Sequence, residues 1–221
     1  MTLFRLDASI FPDRSASREL ADIVEAEWTT AHPDEPVIRR DIGRSPLPST
    51  VWADAVVGQQ LPLGARTSAQ HRAVELATAL ADELIAADTF LFAVPLYNYG
   101  VSQHIKTWFD VLYTDPRIDE GGPELRDRPA LLVTVSGGNY GPGSPKEGWD
   151  HSTSWLGRIL VDVFGLDLVT VDRRFTLVGV NPALDPFTGM AETMRIEALR
   201  AAEVEGRKLA RRVGRSAAAS A

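Results

Sequence analysis

The chain has 221 residues, of which 44% are hydrophobic and 24% are charged, a composition typical of one soluble globular domain with a sizeable core. Its net charge of -7 argues against a nucleic-acid backbone or an anionic membrane as a partner. The absence of cysteine excludes a disulfide framework, a thiolate metal site and a catalytic thiol.

The amino-terminal segment does not have the pattern of a secretion signal. Residues 1–10 lack a basic start and a long apolar core, and Asp7 interrupts them. No stretch of the sequence is apolar for long enough to cross a bilayer as a helix. Together with the absence of cysteine, these features predict a cytoplasmic protein.

Strand-like and helix-like segments alternate along the chain, which is typical of a parallel sheet covered by helices. The predicted strands are residues 2–6, 36–42, 89–94, 129–135 and 166–180, the last with room for a bend. The predicted helices are residues 17–28, 68–87 with Ser68 as N-cap, 102–113, 149–164 and 188–213. Residues 43–64 are predicted to form a surface excursion with a short helix at 50–57, and 115–128 and 136–148 to form loops. Residues 1–214 then make one domain with strand order 2-1-3-4-5, followed by a frayed tail at 215–221.

The loop after the first strand has the composition of a phosphate site. A doubly wound sheet binds ligands outside the carboxyl ends of its strands, which is where this loop lies. Ser9, Ser15 and Ser17 offer hydroxyl groups, and the helix start that follows offers free backbone N–H groups at its positive end. Arg14 could add a charge-assisted contact. The alternative is that these serines only cap the helix.

The loop after the third strand is the most informative stretch of the sequence. Within residues 95–100, the phenolic rings of Tyr97 and Tyr99 stand on either side of Asn98. Rings, an amide side chain and backbone N–H groups suit a flat aromatic ligand with polar edges, and flavin is the first candidate. The alternative is a turn whose aromatic residues pack over the sheet edge.

The loop after the fourth strand contains Gly137 and Gly138, followed by Tyr140. Paired glycines let a backbone approach a ligand closely, and Tyr140 could stack on that ligand. A flexible loop is the alternative. Three such loops at one sheet edge nevertheless favour one shared ligand site.

Several common motifs are incomplete in this chain. Residues 143–148 have the glycine spacing of a phosphate-binding loop, but Trp149 stands where the lysine is required. No G-x-G-x-x-G sequence follows the first strand. Residues 134–138 lack the first glycine of a nucleophile elbow. The four histidines show no metal-ligand spacing, and His151 is of interest because it follows the third loop.

With these residues in view, the chain resembles the family of FMN-dependent NADH-azoreductases and quinone reductases over nearly its whole length. The most specific matches are Ser9 with Ser15-Ala16-Ser17, then Pro95-Leu96-Tyr97-Asn98-Tyr99 through Lys106-Thr107-Trp108-Phe109-Asp110, then Ser136-Gly137-Gly138. The resemblance implies a flavodoxin-like three-layer sandwich with a five-stranded parallel sheet. It also implies bound FMN, NADH or NADPH as electron donor, and a homodimer.

The resemblance also assigns cofactor contacts to individual residues. The FMN phosphate would be held by Ser9, Ser15, Ala16 and Ser17. The ribityl chain and the isoalloxazine would lie against Pro95, Leu96, Tyr97, Asn98 and Tyr99, and the pyrimidine side of the ring against Val135, Ser136, Gly137 and Gly138. There are two departures from the family pattern: Val135-Ser136 stands where the family often has Ser-Arg, and Asp162 is unexpected in its helix.

By the same resemblance, the protein passes two electrons from NAD(P)H to quinones, azo compounds or nitroaromatics in a ping-pong cycle. The Asn98 N–H would donate to flavin N5, and the Gly137 and Gly138 N–H groups would polarise the pyrimidine carbonyls. Candidates for stacking on the acceptor are Tyr97, Tyr140 and Trp149, and His151 is a candidate proton donor. Two alternatives stay open: a flavodoxin-like electron carrier, and a hydrolase with Ser136 as nucleophile and His151 as base.

Overall fold

The computed structural model describes residues 1–11, 13–118 and 125–219, which form one sheet of five parallel strands. The strands are β1 (Leu3–Asp7), β2 (Val37–Asp41), β3 (Thr89–Pro95), β4 (Pro129–Val135) and β5 (Asp167–Arg173). Their order is β2-β1-β3-β4-β5, which confirms the predicted topology. Asp7 lies beside Ala93 and Pro95 lies beside Val135, so the carboxyl ends of β1, β3 and β4 meet at one edge.

The three inner strands are buried on both faces, which explains why their sequences are nearly continuous apolar runs. Along β3, Phe90, Phe92 and Val94 belong to one core cluster, whereas Leu91 and Ala93 belong to the other. Successive side chains of a strand point to opposite faces, so β3 contributes to both cores. A large apolar side chain that is fully buried in this way contributes about 1.5–3 kcal/mol.

Helices cover both faces of the sheet and complete the predicted three-layer sandwich. They are α1 (Ala16–Ala31), α2 (Val51–Gln60), α3 (Ser68–Ile85), α4 (Gln103–Leu112), α5 (Thr153–Gly157), continued by a π-helical segment (Arg158–Val163), and α6 (Thr188–Ala219). One core cluster unites α3 and α4 with the sheet, and the other unites α1 and α6. Glu19 of α1 pairs with Arg173 of β5 and Arg195 of α6, at 2.6 and 2.7 Å. Over the described residues, none of these helices is both long and apolar enough to cross a membrane.

The elements after β4 depart from their predicted boundaries. β5 ends at Arg173 instead of residue 180, and the chain turns at Phe175, whose φ is +57°. The helix predicted over 149–164 begins at Thr153, because the Asp150 carboxylate accepts hydrogen bonds from the N–H groups of Ser152 and Thr153. The last helix continues past residue 213 to Ala219, into the segment predicted to fray, and residues 220–221 lie outside the described part. Asp162 is exposed and pairs with Arg158 at 2.6 Å.

The N-cap of α3 is Thr67 and not Ser68. The Thr67 hydroxyl accepts from the Gln70 N–H at 3.2 Å, and the Gln70 side chain accepts from the Thr67 N–H at 2.9 Å, which is a capping box. Ser68 is instead the first residue of the helix. The excursion at 43–64 contains α2, and of the predicted loop at 115–128, residues 119–124 lie outside the described residues.

Candidate ligand-binding site

The loop between β1 and α1 ends in a helix start rich in hydrogen-bond donors. Ser15 is the N-cap: its hydroxyl accepts from the Arg18 N–H at 3.2 Å and lies 3.1 Å from the Ser17 hydroxyl. Ala16 and Ser17 occupy the first two helical positions, whose N–H groups have no carbonyl partner within a helix. Ser15 therefore caps the helix, as the alternative required, and the free donors beside it still suit an anion.

The Tyr97 hydroxyl joins this first loop to the loop after β3. It lies 3.4 Å from the hydroxyl of the buried Ser9 and accepts from the Ile10 N–H at 3.2 Å. The Ser9 hydroxyl accepts in turn from the Phe11 N–H at 3.3 Å. Sequence reasoning placed Tyr97 against a ligand, and the structure shows that it also holds the first loop.

The loop after β3 is a tight two-residue turn in a strained conformation. Tyr97 and Gly100 exchange two backbone hydrogen bonds, of 3.0 and 2.9 Å. The central residues Asn98 and Tyr99 have φ of +47° and +68°, as a type I′ turn requires. Left-handed backbone is unfavourable for tyrosine, and such strain tends to collect at ligand sites. Among the described residues, the Asn98 N–H has no hydrogen-bond acceptor.

The loop after β4 is held from behind by the segment that follows β5. The carbonyls of Ser136, Gly137 and Gly138 accept from the N–H groups of Thr176, Leu177 and Phe175, at 3.1 to 3.2 Å. This pairing occupies the carbonyls, while the N–H groups of Gly137 and Gly138 have no acceptor within the described part of the chain. A Cβ on Gly137 would lie only 2.6 Å from Cδ1 of Leu177, so a larger residue there would displace the Leu177 side chain.

The loops after β3 and β4 line a cavity of about 630 Å³. The predicted phosphate residues Ser9, Ser15, Ala16 and Ser17 are not among its lining residues. Seven of its lining residues were predicted from the sequence: Leu96, Tyr97, Asn98, Tyr99, Gly137, Gly138 and Tyr140. A further wall, which the sequence did not indicate, is made by Phe175, Leu177, Asn181, Leu184, Phe187 and Met190. Within that wall, the rings of Phe175 and Phe187 stack with centroids 5.1 Å apart.

An aromatic cluster with one lysine stands at the mouth of the cavity. The Tyr99 ring meets Tyr140 and Trp149 edge-on, at 5.9 and 5.3 Å. The Lys146 ammonium lies 5.2 Å from the centre of the Tyr99 ring and 5.6 Å from that of Trp149, and it donates to the Tyr99 hydroxyl at 3.2 Å. The hydrogen bond with Tyr99 raises the pKa of Lys146, so this side chain carries a positive charge at neutral pH.

Burial controls the acid–base behaviour of two groups near the loops. It raises the pKa of the Tyr140 hydroxyl, against the opposing charge of Lys146, so Tyr140 stays protonated at neutral pH. Burial also raises the pKa of Asp172 in β5, although the neighbouring Arg174 opposes the change. No group of three His, Asp or Glu side chains is placed to hold a metal ion anywhere in the described residues.

The structure does not bring every predicted residue to the cavity. Pro95 and Val135 are buried at the ends of β3 and β4. The hydroxyl of Ser136 donates to the Gly138 carbonyl at 2.9 Å, while the side chain of His151 is exposed and its backbone N–H donates to the Tyr99 carbonyl. A serine engaged with a backbone carbonyl instead of an imidazole does not favour the hydrolase alternative.

Comparison with known proteins gives close matches over most of the chain. Residues 1–183 match a protein-family model described as a flavodoxin-like fold. An FMN-dependent NADH:quinone oxidoreductase of Frankia casuarinae is 35% identical over 205 residues, covering 91% of this chain and 97% of that protein. A protein of the same description from Streptomyces coelicolor is 31% identical over 213 residues, covering 96% of each. The FMN-dependent NAD(P)H:quinone oxidoreductase 1 of Pseudomonas aeruginosa is 33% identical over 179 residues, covering 76% and 84%.

Solved structures share the fold at lower sequence identity. The azoreductase AzrA superposes with a TM-score of 0.76 at 22% identity, covering 94% of this chain and all of that one. An FMN-dependent NADH-azoreductase from Bacillus anthracis, solved in complex with FMN, superposes with a TM-score of 0.72 at 17% identity, covering 96% and 99%.

Proposed function

The chain belongs to the flavodoxin-like family of FMN-dependent NAD(P)H:quinone oxidoreductases and azoreductases, and we propose that it uses FMN to pass two electrons from NADH or NADPH to quinones, azo compounds or nitroaromatics. The observation that carries this proposal is a strained aromatic turn and a paired-glycine loop that line one cavity, with the first loop joined to that turn through the Tyr97 hydroxyl. A ping-pong cycle fits, because one cavity then serves the electron donor and the acceptor in turn.

The donors of this chain match the chemistry of FMN at both ends of that molecule. The helix start at Ser15, Ala16 and Ser17 offers N–H and hydroxyl groups for a phosphate, and the buried Ser9 lies in the same loop. The N–H groups of Asn98, Gly137 and Gly138, which have no acceptor among the described residues, are suited to the polar edge of a flavin ring. Bound FMN supplies the two-electron redox chemistry, and the protein supplies binding, orientation and electrostatics.

We assign the remaining roles to the side chains around the loops. Leu96, Tyr97 and Tyr99 line the ribityl chain and the ring, supported at the sheet edge by Pro95, Val135 and Ser136. The N–H groups of Asn98, Gly137 and Gly138 stabilise negative charge that develops on the ring, because preorganised donors need no reorientation during the reaction. Tyr140 and Phe187 offer flat apolar walls against which an aromatic acceptor stacks.

An absorbance spectrum with reductant and acceptor tests this function. The purified protein is expected to show flavin bands that NADH bleaches under anaerobic conditions and a benzoquinone restores. A protein that stays colourless after incubation with FMN would overturn the assignment. Ser136→Ala is expected to keep most of its turnover, whereas a hydrolase that used this serine would lose its activity.

Removal of the Tyr97 hydroxyl is expected to weaken FMN binding without unfolding the protein. Tyr97→Phe loses the contacts with Ser9 and the Ile10 N–H, which together are worth about 1–2 kcal/mol, so the Kd for FMN rises about tenfold. Titration of the apoprotein, followed by flavin fluorescence, measures this change. Tyr113→Phe at the end of α4 is the matched control and should leave the Kd unchanged.

The cavity also favours an enzyme over an electron carrier. A carrier exchanges electrons with protein partners at an exposed flavin edge, whereas a cavity of about 630 Å³ with several apolar residues in its lining suits a small-molecule acceptor. Rapid oxidation of NADH by the purified protein with a quinone as the acceptor is expected. Slow NADH oxidation that only a protein partner accelerates would favour the carrier.

The proposed assembly is a cytoplasmic homodimer. Large apolar side chains stand exposed near the first loop and on α2, with Ile10 at 48%, Phe11 at 54% and Trp52 at 48% of their full accessible area. Large exposed apolar side chains favour a protein contact. Light scattering of the purified protein is expected to give twice the chain mass.

A further inference from the structure

The cavity contains one formal charge in a chain that is acidic overall. Of its lining residues, all within the described part of the chain, Lys146 alone is charged, whereas the whole chain carries a net charge of -7. The other lining residues are aromatic, aliphatic, glycine, proline, serine or asparagine. A single positive charge in an otherwise uncharged lining would therefore favour anionic ligands over uncharged ones.

The two carboxylates that follow Lys146 in the sequence accept hydrogen bonds from backbone N–H groups. Glu147 accepts from the Gly143 N–H at 2.8 Å, and Asp150 accepts from the start of α5. Among the described residues, no carboxylate lies within 4.0 Å of the Lys146 ammonium. The two other lysines of the chain are paired, Lys106 with Asp110 and Lys208 with Glu205. Within residues 1–11, 13–118 and 125–219, Lys146 is thus the one lysine without a carboxylate partner.

The position of the Lys146 ammonium is constrained by its surroundings. The ammonium lies over the Tyr99 and Trp149 rings, and the Tyr99 hydroxyl accepts its hydrogen bond. The loop beneath it is closed by backbone hydrogen bonds, including one from the Trp149 N–H to the Lys146 carbonyl at 3.1 Å. A lysine side chain whose ammonium already has such contacts loses less conformational freedom when a ligand binds.

We propose that Lys146 is a specificity-determining residue, which favours aromatic electron acceptors that carry a carboxylate or sulfonate by pairing its ammonium with that anion at the cavity mouth. This inference rests on the proposed oxidoreductase function. The aromatic body of the acceptor would lie against the apolar walls, and the anionic substituent would reach the ammonium. A phosphate group of NAD(P)H is another anion with which this ammonium would pair, and separate measurements for donor and acceptor distinguish the two.

Steady-state kinetics with a matched acceptor pair tests the proposal. For naphthoquinone sulfonate, Lys146→Met is expected to raise KM about fivefold with kcat unchanged, as for an exposed ion pair. For the uncharged parent naphthoquinone, KM should change less than twofold. Lys146→Arg should restore the sulfonate KM, and 1 M salt should weaken the preference of the parent protein, because the Debye length then falls to about 3 Å.

The controls separate failure of this proposal from failure of the proposed function. Lys208→Met removes one positive charge from the exposed face of α6 and should change neither KM. Equal changes with the charged and the uncharged quinone, or a change in the KM for NADH alone, would overturn the role of Lys146 in acceptor choice. Absence of quinone reduction in the parent protein would instead overturn the proposed function.

Discussion

Ser15→Asp is expected to abolish retention of FMN while the apoprotein keeps its stability. Aspartate is as good an N-cap as serine, and a negative charge is favourable at the first turn of α1, so the helix is preserved. The same carboxylate repels a phosphate at this helix start. A repulsion of about 4 kcal/mol, for unit charges 4 Å apart near a protein surface, raises the Kd for FMN about a thousandfold.

The measurements for this variant are the flavin content after purification and the thermal midpoint of the apoprotein. Ser68→Asp is the matched control, because it makes the same change at the first residue of α3, away from the loops of the site. The control should retain its flavin. If Ser15→Asp binds FMN as tightly as the parent protein, the phosphate does not lie at this helix start.

Gly43→Ala is expected to lose both stability and FMN, because it forces the first loop away from β2. A Cβ on Gly43 would lie 1.8 Å from the carbonyl oxygen of Ser9 and 2.6 Å from its carbonyl carbon, and both are backbone atoms that cannot rotate away. The Gly43 N–H also donates to the Asp7 carbonyl, at the end of β1. The shift should destabilise the protein by about 3 kcal/mol, which lowers Tm by about 6–12 °C.

Gly64→Ala is the control for this second variant. The Cβ added at Gly64 meets no atom within 4 Å, so the same substitution tests only the loss of backbone freedom. We expect that variant to keep its FMN and its Tm within about 2 °C. A Gly43→Ala protein with the parent Tm and full flavin content would show that the contact between Gly43 and Ser9 is looser than the structure indicates.

The sheet and the edge at which the three loops meet were predictable because their signals are local. β3 and β4 are continuous apolar runs since both of their faces are buried, and such runs end where polar loop residues begin. The N-cap at Ser15 could likewise be predicted from its sequence neighbours, because a capping side chain reaches only to the first turn of its own helix. The N-cap of α3 was predicted at Ser68 instead of Thr67 because both of these adjacent residues carry a hydroxyl group. The hydrogen bonds between Thr67 and Gln70 make Thr67 the N-cap.

The wall after β5 could not be predicted in the same way. Phe175 and Leu177 continue the alternation of a strand, so a prediction from period alone extends the strand through them. In the structure, their N–H groups bind carbonyls of the paired-glycine loop, which lies about 40 residues earlier in the chain. Lys146 is a similar case, because the charged residues that follow it in the sequence, Glu147 and Asp150, are acidic, yet in the structure its ammonium contacts Tyr99 and Trp149.

The sequence alone therefore determined the strand order, the three loops at one sheet edge and the family to which the chain belongs. Burial on both faces, helix capping and turn chemistry act over a few residues, and each leaves a pattern that can be read along the chain. Only the tertiary structure decided that Tyr97 joins the first two loops and that residues 175–190 contribute a wall of the cavity. It also decided that Lys146 is the one charged residue among the described residues that line this cavity. These features depend on contacts between distant segments, and no local period or propensity encodes such contacts.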